Sequence, residues 1–167
     1  RAVMTGVEQL CTKAGVGLEA IDLLLHGTTV ATNIALEHKG AEVGLITTEG
    51  FRDTIEMRTE SRFEQYDLNL VLPTPLVERR DRHTLGERVG ADGRVLRPFD
   101  DDEARTLIER LADRPDGHRY QAVAVGFIHS YVNSDHERRF RDLLLERMPD
   151  LAVSISSEVS PQMREFE

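Results

Sequence analysis

The sequence predicts an α/β fold in which a largely parallel β-sheet carries helices on both faces. Two observations support this prediction. Continuous apolar runs, which are typical of strands covered on both faces, occur at residues 21–25, 41–47, 121–128 and 151–155. Segments with the spacing of amphipathic helices lie between several of these runs, and such alternation is typical of a parallel sheet. We therefore expect the four runs to share one sheet.

The chain opens inside a helical pattern. Five residues near its start share helical spacing: Val3, Val7, Leu10, Cys11 and Ala14. Gly15 and Gly17 follow and are expected to end this helix. Because Arg1 already lies within the pattern, we expect further residues upstream of it.

A dense polar junction follows the first apolar run. It comprises residues 26–33, the HGTT junction, and predicts a turn at Gly27 and a short helix that ends near Gly40. Free backbone N–H groups at the start of a helix can bind an anion or a polar small molecule. Four side chains add polar groups there: Thr28, Thr29, Thr32 and Asn33. The alternative is that Thr28 or Thr29 only caps the helix.

The second apolar run leads to a turn at residues 48–50 and a short predicted helix over residues 51–57. Loops at the carboxyl ends of parallel strands bind the ligands of open α/β sheets. Arg52 and Asp53 are therefore candidates for ligand binding. The alternative for these two residues is an exposed ion pair of little energetic weight.

Neither helical nor alternating spacing continues between residues 58 and 98. Two prolines and an arginine-rich run to Arg82 indicate an extended connector. Asp92 and Gly93 lie between two short runs, which is a hairpin signal. The sequence thus predicts a connector and a small antiparallel hairpin inserted into the α/β alternation.

The alternation resumes with a helix that Asp100 is expected to cap. Its apolar stripe comprises Ala104, Leu107, Ile108 and Leu111. The third apolar run then delivers His129 to a loop, although a lone histidine at such a place is more often structural. Ser134 and Glu137 form a predicted capping box at the next helix. Pro161 is expected to open a last helix.

Composition excludes several classes of protein. The 167 residues, which we expect to form one domain, include 30 acidic and 21 basic side chains, for a net charge of −9. No basic cluster stands out, which argues against nucleic acid as a partner. The single cysteine excludes an internal disulfide, and no His, Cys, Asp and Glu set has metal-site spacing. His83, His118 and His136 are expected to be exposed. Without a membrane-length apolar run or a visible signal peptide, we expect a cytoplasmic protein that contacts no membrane.

Six motifs occur in order along the chain: the HGTT junction and residues 44–53, 66–68, 87–93, 129–131 and 157–159. Through them the chain resembles the amino-terminal region of the hydantoinase A and 5-oxoprolinase family, which is also found in acetone carboxylase beta-type subunits. The resemblance covers nearly all of the sequence. Three positions depart from the family's usual pattern: Thr59, Phe63 and Ser157.

This resemblance implies an actin-like ATPase domain, of the ribonuclease H-like type, that lacks its first strands and their phosphate-binding hairpin. For the complete protein it implies ATP and Mg²⁺ as cofactors and phosphorylation of a carbonyl or amide oxygen. Water would then open a cyclic amide of the hydantoin or 5-oxoproline type. The alternatives are an ATP-dependent ketone carboxylase subunit and a noncatalytic module for scaffolding and subunit contacts. A hydantoinase B-type subunit or domain is an implied partner.

The resemblance and the local chemistry together give the candidate site residues. The catalytic candidates are Thr28, Thr29 and His129. The candidates for binding substrate or phosphate are His26, Gly27, Thr32, Asn33, Arg52, Asp53 and Arg58. No residue is expected to be a metal ligand. The chain by itself is expected to hold no cofactor and to hydrolyse no ATP, because it lacks a backbone nest for phosphates.

Overall fold

The computed structural model describes residues 2–23, 29–37, 39–57, 66–67, 69, 71–114, 117 and 119–163. Four candidate site residues lie outside this set: His26, Gly27, Thr28 and Arg58. Thr59, Phe63 and His118 also lie outside it. The chain divides into an amino-terminal unit, Arg1–Glu37, and a main unit, His38–Glu167.

Among its described residues, the amino-terminal unit contains two α-helices, α1 (Ala2–Ala14) and α2 (Val30–Glu37), and a short 3₁₀-helix, Leu18–Ala20. Both α-helices confirm the sequence prediction. The strand predicted at residues 21–25 is wrong at residues 21–23, which are not in a strand, and residues 24 and 25 lie outside the described set. Ile21 donates its backbone N–H to the carbonyl oxygen of Leu18 at 3.2 Å. The backbone N–H of Ile21 is thus used in a local turn and is not available to pair with a neighbouring strand.

A glycine ends α1, as the sequence predicts. Gly15 has a φ of +68°, a left-handed conformation that glycine adopts without steric cost. The backbone N–H of Val16 donates to the carbonyl oxygen of Cys11 at 3.1 Å, and the backbone N–H of Gly15 donates to the carbonyl oxygen of Thr12 at 3.3 Å. These two bonds form a Schellman motif, which satisfies carbonyl groups at the end of the helix.

The main unit alternates strands with helices and contains one hairpin. Its elements in chain order are β1 (Val43–Thr48), α3 (Thr54–Met57), β2 (Arg82–Leu85), β3 (Arg88–Val89), β4 (Val95–Arg97), α4 (Asp101–Ala112), β5 (Ala122–Gly126), α5 (Asp135–Arg147), β6 (Ala152–Ile155) and α6 (Ser156–Val159).

Four parallel strands form the main sheet in the order β2-β1-β5-β6. Three of them, β1, β5 and β6, confirm the predicted strands and the predicted α/β class with a largely parallel sheet. The fourth, β2, corrects the prediction that the chain before the hairpin is only a connector. Its sequence is polar, but the side chain of Arg82 is only 1% exposed. The guanidinium donates to the carbonyl oxygen of Val77 at 3.0 Å and to Glu56 at 2.9 Å, and it forms an ion pair with Asp53 at 3.6 Å.

The hairpin predicted around Asp92 and Gly93 is confirmed. Strands β3 and β4 pair antiparallel in a two-stranded sheet of their own. Gly93 has a φ of +80° at the turn, and the backbone N–H of Gly90 donates to Arg94 at 2.8 Å across it. The hairpin therefore stands apart from the four-stranded sheet.

Helices α4 and α5 pack together against one face of the main sheet. The Asp100 side chain caps α4 by accepting the backbone N–H groups of Asp102 at 2.9 Å and Glu103 at 3.1 Å. The predicted stripe of this helix is buried, which confirms it. The largest apolar side chains of the core that it joins are Ile46, Leu85, Phe127, Phe140, Leu143, Leu144 and Ile155.

The predicted capping box at the start of α5 is wrong. Ser134 makes no side-chain capping bond, and Asn133 Oδ1 instead accepts the backbone N–H of Asp135 at 3.1 Å. Glu137 points into the interior and is 0% exposed. The helix predicted after Pro161 is also not found, because residues 160–163 are not helical and residues 164–167 lie outside the described set.

No described helix combines the length and the apolarity needed to cross a membrane.

Candidate functional site

The four parallel strands end at a common edge of the main sheet, the carboxyl edge, where open α/β sheets bind ligands. The strand ends and the loops that follow them carry a set of interacting polar side chains, joined there by the first turn of α5. We call this set the carboxyl-edge cluster, and it comprises Thr48, Glu87, Ser130, His136, Glu137 and Ser156. All of these except Ser156 are at most 8% exposed.

Glu87 binds two buried donors. Its carboxylate accepts a short hydrogen bond from the hydroxyl of Thr48, and its second oxygen accepts Nδ1–H of His136 at 2.7 Å. The Thr48 hydroxyl oxygen in turn accepts the backbone N–H of Ile128 at 3.0 Å. The prediction that His136 is exposed is therefore wrong. Its ring is held between Glu87 and the ring of Phe99, whose centroid lies 5.7 Å away.

Glu137 connects the ends of β5 and β6. One carboxylate oxygen accepts the backbone N–H of Phe127 at 3.0 Å and the hydroxyl of Ser156 at 2.7 Å. The other accepts the backbone N–H of Ser157 at 3.0 Å. Because the single hydroxyl proton of Ser156 goes to Glu137, Ser130 must be the donor in the 2.8 Å contact between the two serines. These three donors replace the water that the Glu137 side chain loses when it is buried.

His129 has an unusual backbone conformation in the loop after β5. Its φ is +63°, the only positive φ among the described residues other than glycine. This conformation costs of order 1 kcal/mol and tends to occur at functional sites. The ring nitrogen Nδ1 lies 2.9 Å from the carbonyl oxygen of Val89. Since a carbonyl only accepts, Nδ1 carries a proton, and the lone pair of the neutral ring lies on Nε2.

Arg52 and Asp53 are not part of the carboxyl-edge cluster. Arg52 donates to the carbonyl oxygen of Arg79 at 2.7 Å. Asp53 accepts two bonds from the Arg79 guanidinium, at 2.9 and 3.0 Å, and this hydrogen bonding lowers the pKa of Asp53 below its ordinary value. Arg79 lies in the turn that leads into β2, the edge strand of the main sheet. Arg52 and Asp53 therefore bind the segment that precedes this strand.

Three candidate residues of the HGTT junction lie among the residues that the structure describes. They are Thr29, Thr32 and Asn33, and all three are exposed. The carbonyl oxygen of Thr29 accepts the backbone N–H of Asn33 at 2.9 Å. Thr29 is thus the residue immediately before α2, as the predicted turn into a helix requires. The junction belongs to the amino-terminal unit, whereas His129, Arg52 and Asp53 belong to the main unit.

His83 lies in a second polar group, near the amino-terminal ends of β2 and β5. The hydroxyl of Tyr120 donates to Asp81 at 3.0 Å and lies 2.8 Å from Nε2 of His83. Because the hydroxyl has one proton, His83 Nε2–H must be the donor to Tyr120. The prediction that His83 is exposed is therefore wrong, and burial lowers the pKa of its ring from the ordinary value of 6.5.

This lowered pKa predicts a pH-dependent stability. Below pH 6.5 the unfolded chain protonates His83 while the folded chain resists, so the unfolded state binds more protons. The free energy of unfolding should therefore fall as the pH is lowered through 6.5 toward the folded pKa. In His83→Gln, whose amide can still donate to Tyr120, this part of the pH dependence should be absent. Urea unfolding of both proteins between pH 8 and pH 5 measures it, and equal slopes would contradict the assignment.

The described part of the chain offers no obvious metal site. Within it, no group of three or more His, Cys, Asp or Glu side chains is arranged to hold a metal ion. The acidic groups at the carboxyl edge are instead occupied by hydroxyl, imidazole and backbone donors.

The sequence predicts His129 as a candidate but gives no prediction of the two buried acids of the carboxyl-edge cluster, Glu87 and Glu137. One available signal was position along α5. Glu137 shares a helical face with Phe140 and Leu144, three and seven residues further on, and both are buried. A glutamate on an apolar face indicates a buried charge with partners, which the capping-box interpretation obscured.

Comparisons of the sequence with known proteins find several relatives. The family model of the hydantoinase/oxoprolinase N-terminal region matches residues 1–148. The chain is 34% identical over 147 residues to caprolactamase subunit alpha of Pseudomonas jessenii, covering 87% of this chain and 20% of that protein. It is 32% identical over 165 residues to 5-oxoprolinase 1 of Arabidopsis thaliana, covering 87% and 12%. It is 32% identical over 181 residues to the acetophenone carboxylase gamma subunit of Aromatoleum aromaticum, covering 98% and 24%.

The fold agrees with a solved structure of this group. The crystal structure of the ATP-dependent caprolactamase from Pseudomonas jessenii superposes with a TM-score of 0.83 at 32% identity, covering 99% of this chain and 24% of that one. The chain therefore spans about a quarter or less of the length of these relatives. With its family model matched over residues 1–148, the chain belongs to the hydantoinase/oxoprolinase family.

Proposed function

We propose that the chain is part of an ATP-dependent enzyme that phosphorylates a carbonyl or amide oxygen and opens a cyclic amide of the hydantoin or 5-oxoproline type. The observation that carries the proposal is the family match over residues 1–148. Two of the relatives are named for lactam substrates, a caprolactamase and a 5-oxoprolinase. Because the chain spans only a small part of their length, the activity is proposed for the complete protein. An actin-like ATPase fold and a cytoplasmic location are part of the same proposal.

His129 is the proposed acid/base residue of the main unit. Ring opening by water requires a proton to leave the water and a proton to reach the ring nitrogen. A neutral imidazole can accept the proton of the attacking water, and the imidazolium so formed can donate a proton to the leaving ring nitrogen. Such catalysis contributes ~10²- to 10⁴-fold. The bond from Nδ1 to the carbonyl oxygen of Val89 fixes the tautomer with its lone pair on Nε2. The strained φ of +63° supports a functional position.

ATP and Mg²⁺ are proposed cofactors of the complete protein, but the carboxyl-edge cluster does not fit them. Its two buried acids, Glu87 and Glu137, already accept hydroxyl, imidazole and backbone donors, and they would repel phosphate. We therefore assign no phosphate or metal contact to this cluster. Thr28 and Thr29 are proposed catalytic residues. The residues proposed to bind substrate or phosphate are His26, Gly27, Thr32, Asn33, Arg52, Asp53 and Arg58.

The threonines of the HGTT junction give a test of the binding role. If Thr28 and Thr29 donate to the activated substrate or its phosphate, replacing either with Ala in the complete enzyme should lower kcat ~10²-fold with little change in Tm. If they only cap α2, the same variants should lose ~1 kcal/mol of stability and keep their turnover. Steady-state kinetics and thermal unfolding of the same preparations separate the two outcomes, and we expect the first.

A second candidate function is supported by one relative. The chain is similar to an acetophenone carboxylase gamma subunit, which favours an ATP-dependent ketone carboxylase as the alternative. Both functions agree with a multi-subunit enzyme, because two relatives are named as subunits. A hydantoinase B-type subunit or domain is the proposed partner. A noncatalytic module for scaffolding and subunit contacts is the remaining alternative.

An oxygen label distinguishes these functions. The complete protein is incubated with Mg²⁺, ATP and 5-oxoproline, hydantoin or caprolactam labelled with ¹⁸O at the carbonyl. If that oxygen takes the γ-phosphoryl group and leaves with it when water attacks the carbon, ¹⁸O should appear in the released phosphate in step with ring opening. Ring opening without label in phosphate would contradict the proposed activation. Bicarbonate-dependent carboxylation of a ketone would favour the carboxylase, and no ATP turnover with any substrate would favour the module.

A further inference from the structure

We propose that Glu137 is a positioning residue that holds His129 in its left-handed conformation. The inference rests on the proposed function, because it takes His129 to be the acid/base residue. Glu137 is 0% exposed and lies on α5, eight positions along the chain from His129. It is argued to act through the backbone and through Ser156, without contact to substrate.

The first link holds the chain before His129. Glu137 accepts the backbone N–H of Phe127 at 3.0 Å, at the point where β5 has ended. The next N–H, that of Ile128, donates to the Thr48 hydroxyl at 3.0 Å. Both residues that lead into His129 are therefore fixed by buried side chains on other elements. These two bonds therefore fix the direction of the backbone immediately before His129.

The second link holds the chain after His129. Glu137 accepts the hydroxyl proton of Ser156 at 2.7 Å, and Ser156 accepts the hydroxyl of Ser130 at 2.8 Å. Ser130 is 3% exposed and directly follows His129. One carboxylate thus restrains the residues on both sides of the strained position. The ring itself is held by Val89 of the hairpin at 2.9 Å.

A purely structural role would not require a carboxylate at this place. The neighbouring buried positions on the same face of α5 are apolar, namely Phe140 and Leu144, and apolar packing is often at least as stabilising as a buried charge. The burial of Glu137 is offset by three donors, one just after β5 and two in the first turn of α6. One of its bonds therefore goes directly to the segment that carries His129, and another goes to Ser156, which contacts Ser130 of that segment.

The test uses the complete protein and two sets of variants. Glu137→Gln keeps the shape of the side chain but replaces one acceptor oxygen with a donor. Ser156→Ala cuts the link to Ser130, and Ser156→Thr restores the hydroxyl. Leu144→Ala is the control, because it removes buried volume from the same face of α5 without touching the loop of His129. All variants are first compared by Tm.

Two readouts are measured in each variant. The first is the rate at which diethyl pyrocarbonate modifies His129, followed by peptide mass spectrometry, with His83 in the other polar group as the internal reference. We expect Glu137→Gln and Ser156→Ala to raise the His129 rate several-fold relative to His83, because the ring is no longer held against Val89. The second is turnover of the lactam substrate, for which we expect kcat to fall up to ~10²-fold with KM nearly unchanged. Ser156→Thr should restore both, and Leu144→Ala should lower only Tm.

The outcomes separate the inference from the function on which it rests. An unchanged His129 modification rate in folded Glu137→Gln and Ser156→Ala would overturn the positioning role, whatever the activity. A raised rate without loss of kcat, or in a protein with no lactam turnover, would support the positioning and refute the catalytic role of His129. If Glu137→Gln does not fold, the Ser156 pair decides the question, because Ser156 is only partly buried and its replacements are small changes.

Discussion

Replacing His129 with Asn is expected to abolish most of the activity of the complete enzyme while leaving its stability nearly intact. Asn tolerates the left-handed region far better than most residues, so a φ of +63° should remain accessible. Its Nδ2 can take the place of the imidazole Nδ1 as donor to Val89, a bond of 2.9 Å in this structure. Asn cannot transfer a proton at neutral pH. We therefore expect kcat to fall ~10²- to 10⁴-fold, with Tm changed by no more than about 4 °C.

Two further variants make this result interpretable. His129→Ala removes the ring and its bond to Val89, and Ala occupies the left-handed region less readily than His, so this variant should lose both activity and ~1 to 2 kcal/mol of stability. His83→Gln is the matched histidine control in the other polar group and should keep full turnover at neutral pH. Near-normal kcat in His129→Asn would show that His129 is a structural loop residue. A large loss of Tm in that variant would instead mean that the ring has a packing role.

The sequence predicts the main sheet well where burial follows from local composition. Strands β1, β5 and β6 carry apolar residues such as Ile46, Val125 and Ile155, which lie in the buried core. Strand β2 could not be found in this way, because three of its four residues are polar. It is buried through partners distant in sequence. Arg82, for example, bonds to Glu56, 26 residues earlier, and no local pattern reports such a pairing.

The same distinction separates the site residues that the sequence predicts from those it misses. His129 was identifiable because it follows a buried strand, and the end of a strand is a local feature. Glu87 was not identifiable as a buried acid, because its donors Thr48 and His136 lie 39 and 49 residues away. The HGTT junction was predicted to lead into a helix, and α2 begins there. Its ligand remains a proposal, because chemistry at a helix start does not specify what binds.

The second large effect is expected from Glu87. Replacing it with Leu leaves the Thr48 hydroxyl and the His136 Nδ1–H in the interior without their acceptor, and Thr48 and Glu87 are each 1% exposed. Each buried donor that loses its acceptor costs ~1 to 3 kcal/mol, so the loss for the two donors is ~2 to 6 kcal/mol. We therefore expect the free energy of unfolding of Glu87→Leu, measured in urea, to fall by about that amount. Glu87→Gln, which retains one acceptor oxygen, should lose ~1 to 3 kcal/mol.

A double-mutant cycle tests whether this loss comes from the buried donors that have lost their acceptor. The double variant Glu87→Leu with His136→Leu removes the imidazole as well, so it should be more stable than the sum of the single losses predicts, with a coupling of ~0.5 to 3 kcal/mol. Glu103 is the matched control, since it accepts the backbone N–H of Gly86 at 2.9 Å at the same edge but its side chain is 41% exposed. Glu103→Leu should cost ~1 kcal/mol or less, because water can replace the lost acceptor. Similar losses in Glu87→Leu and Glu103→Leu, or additive losses in the cycle, would mean that the buried network contributes no more than an ordinary surface bond.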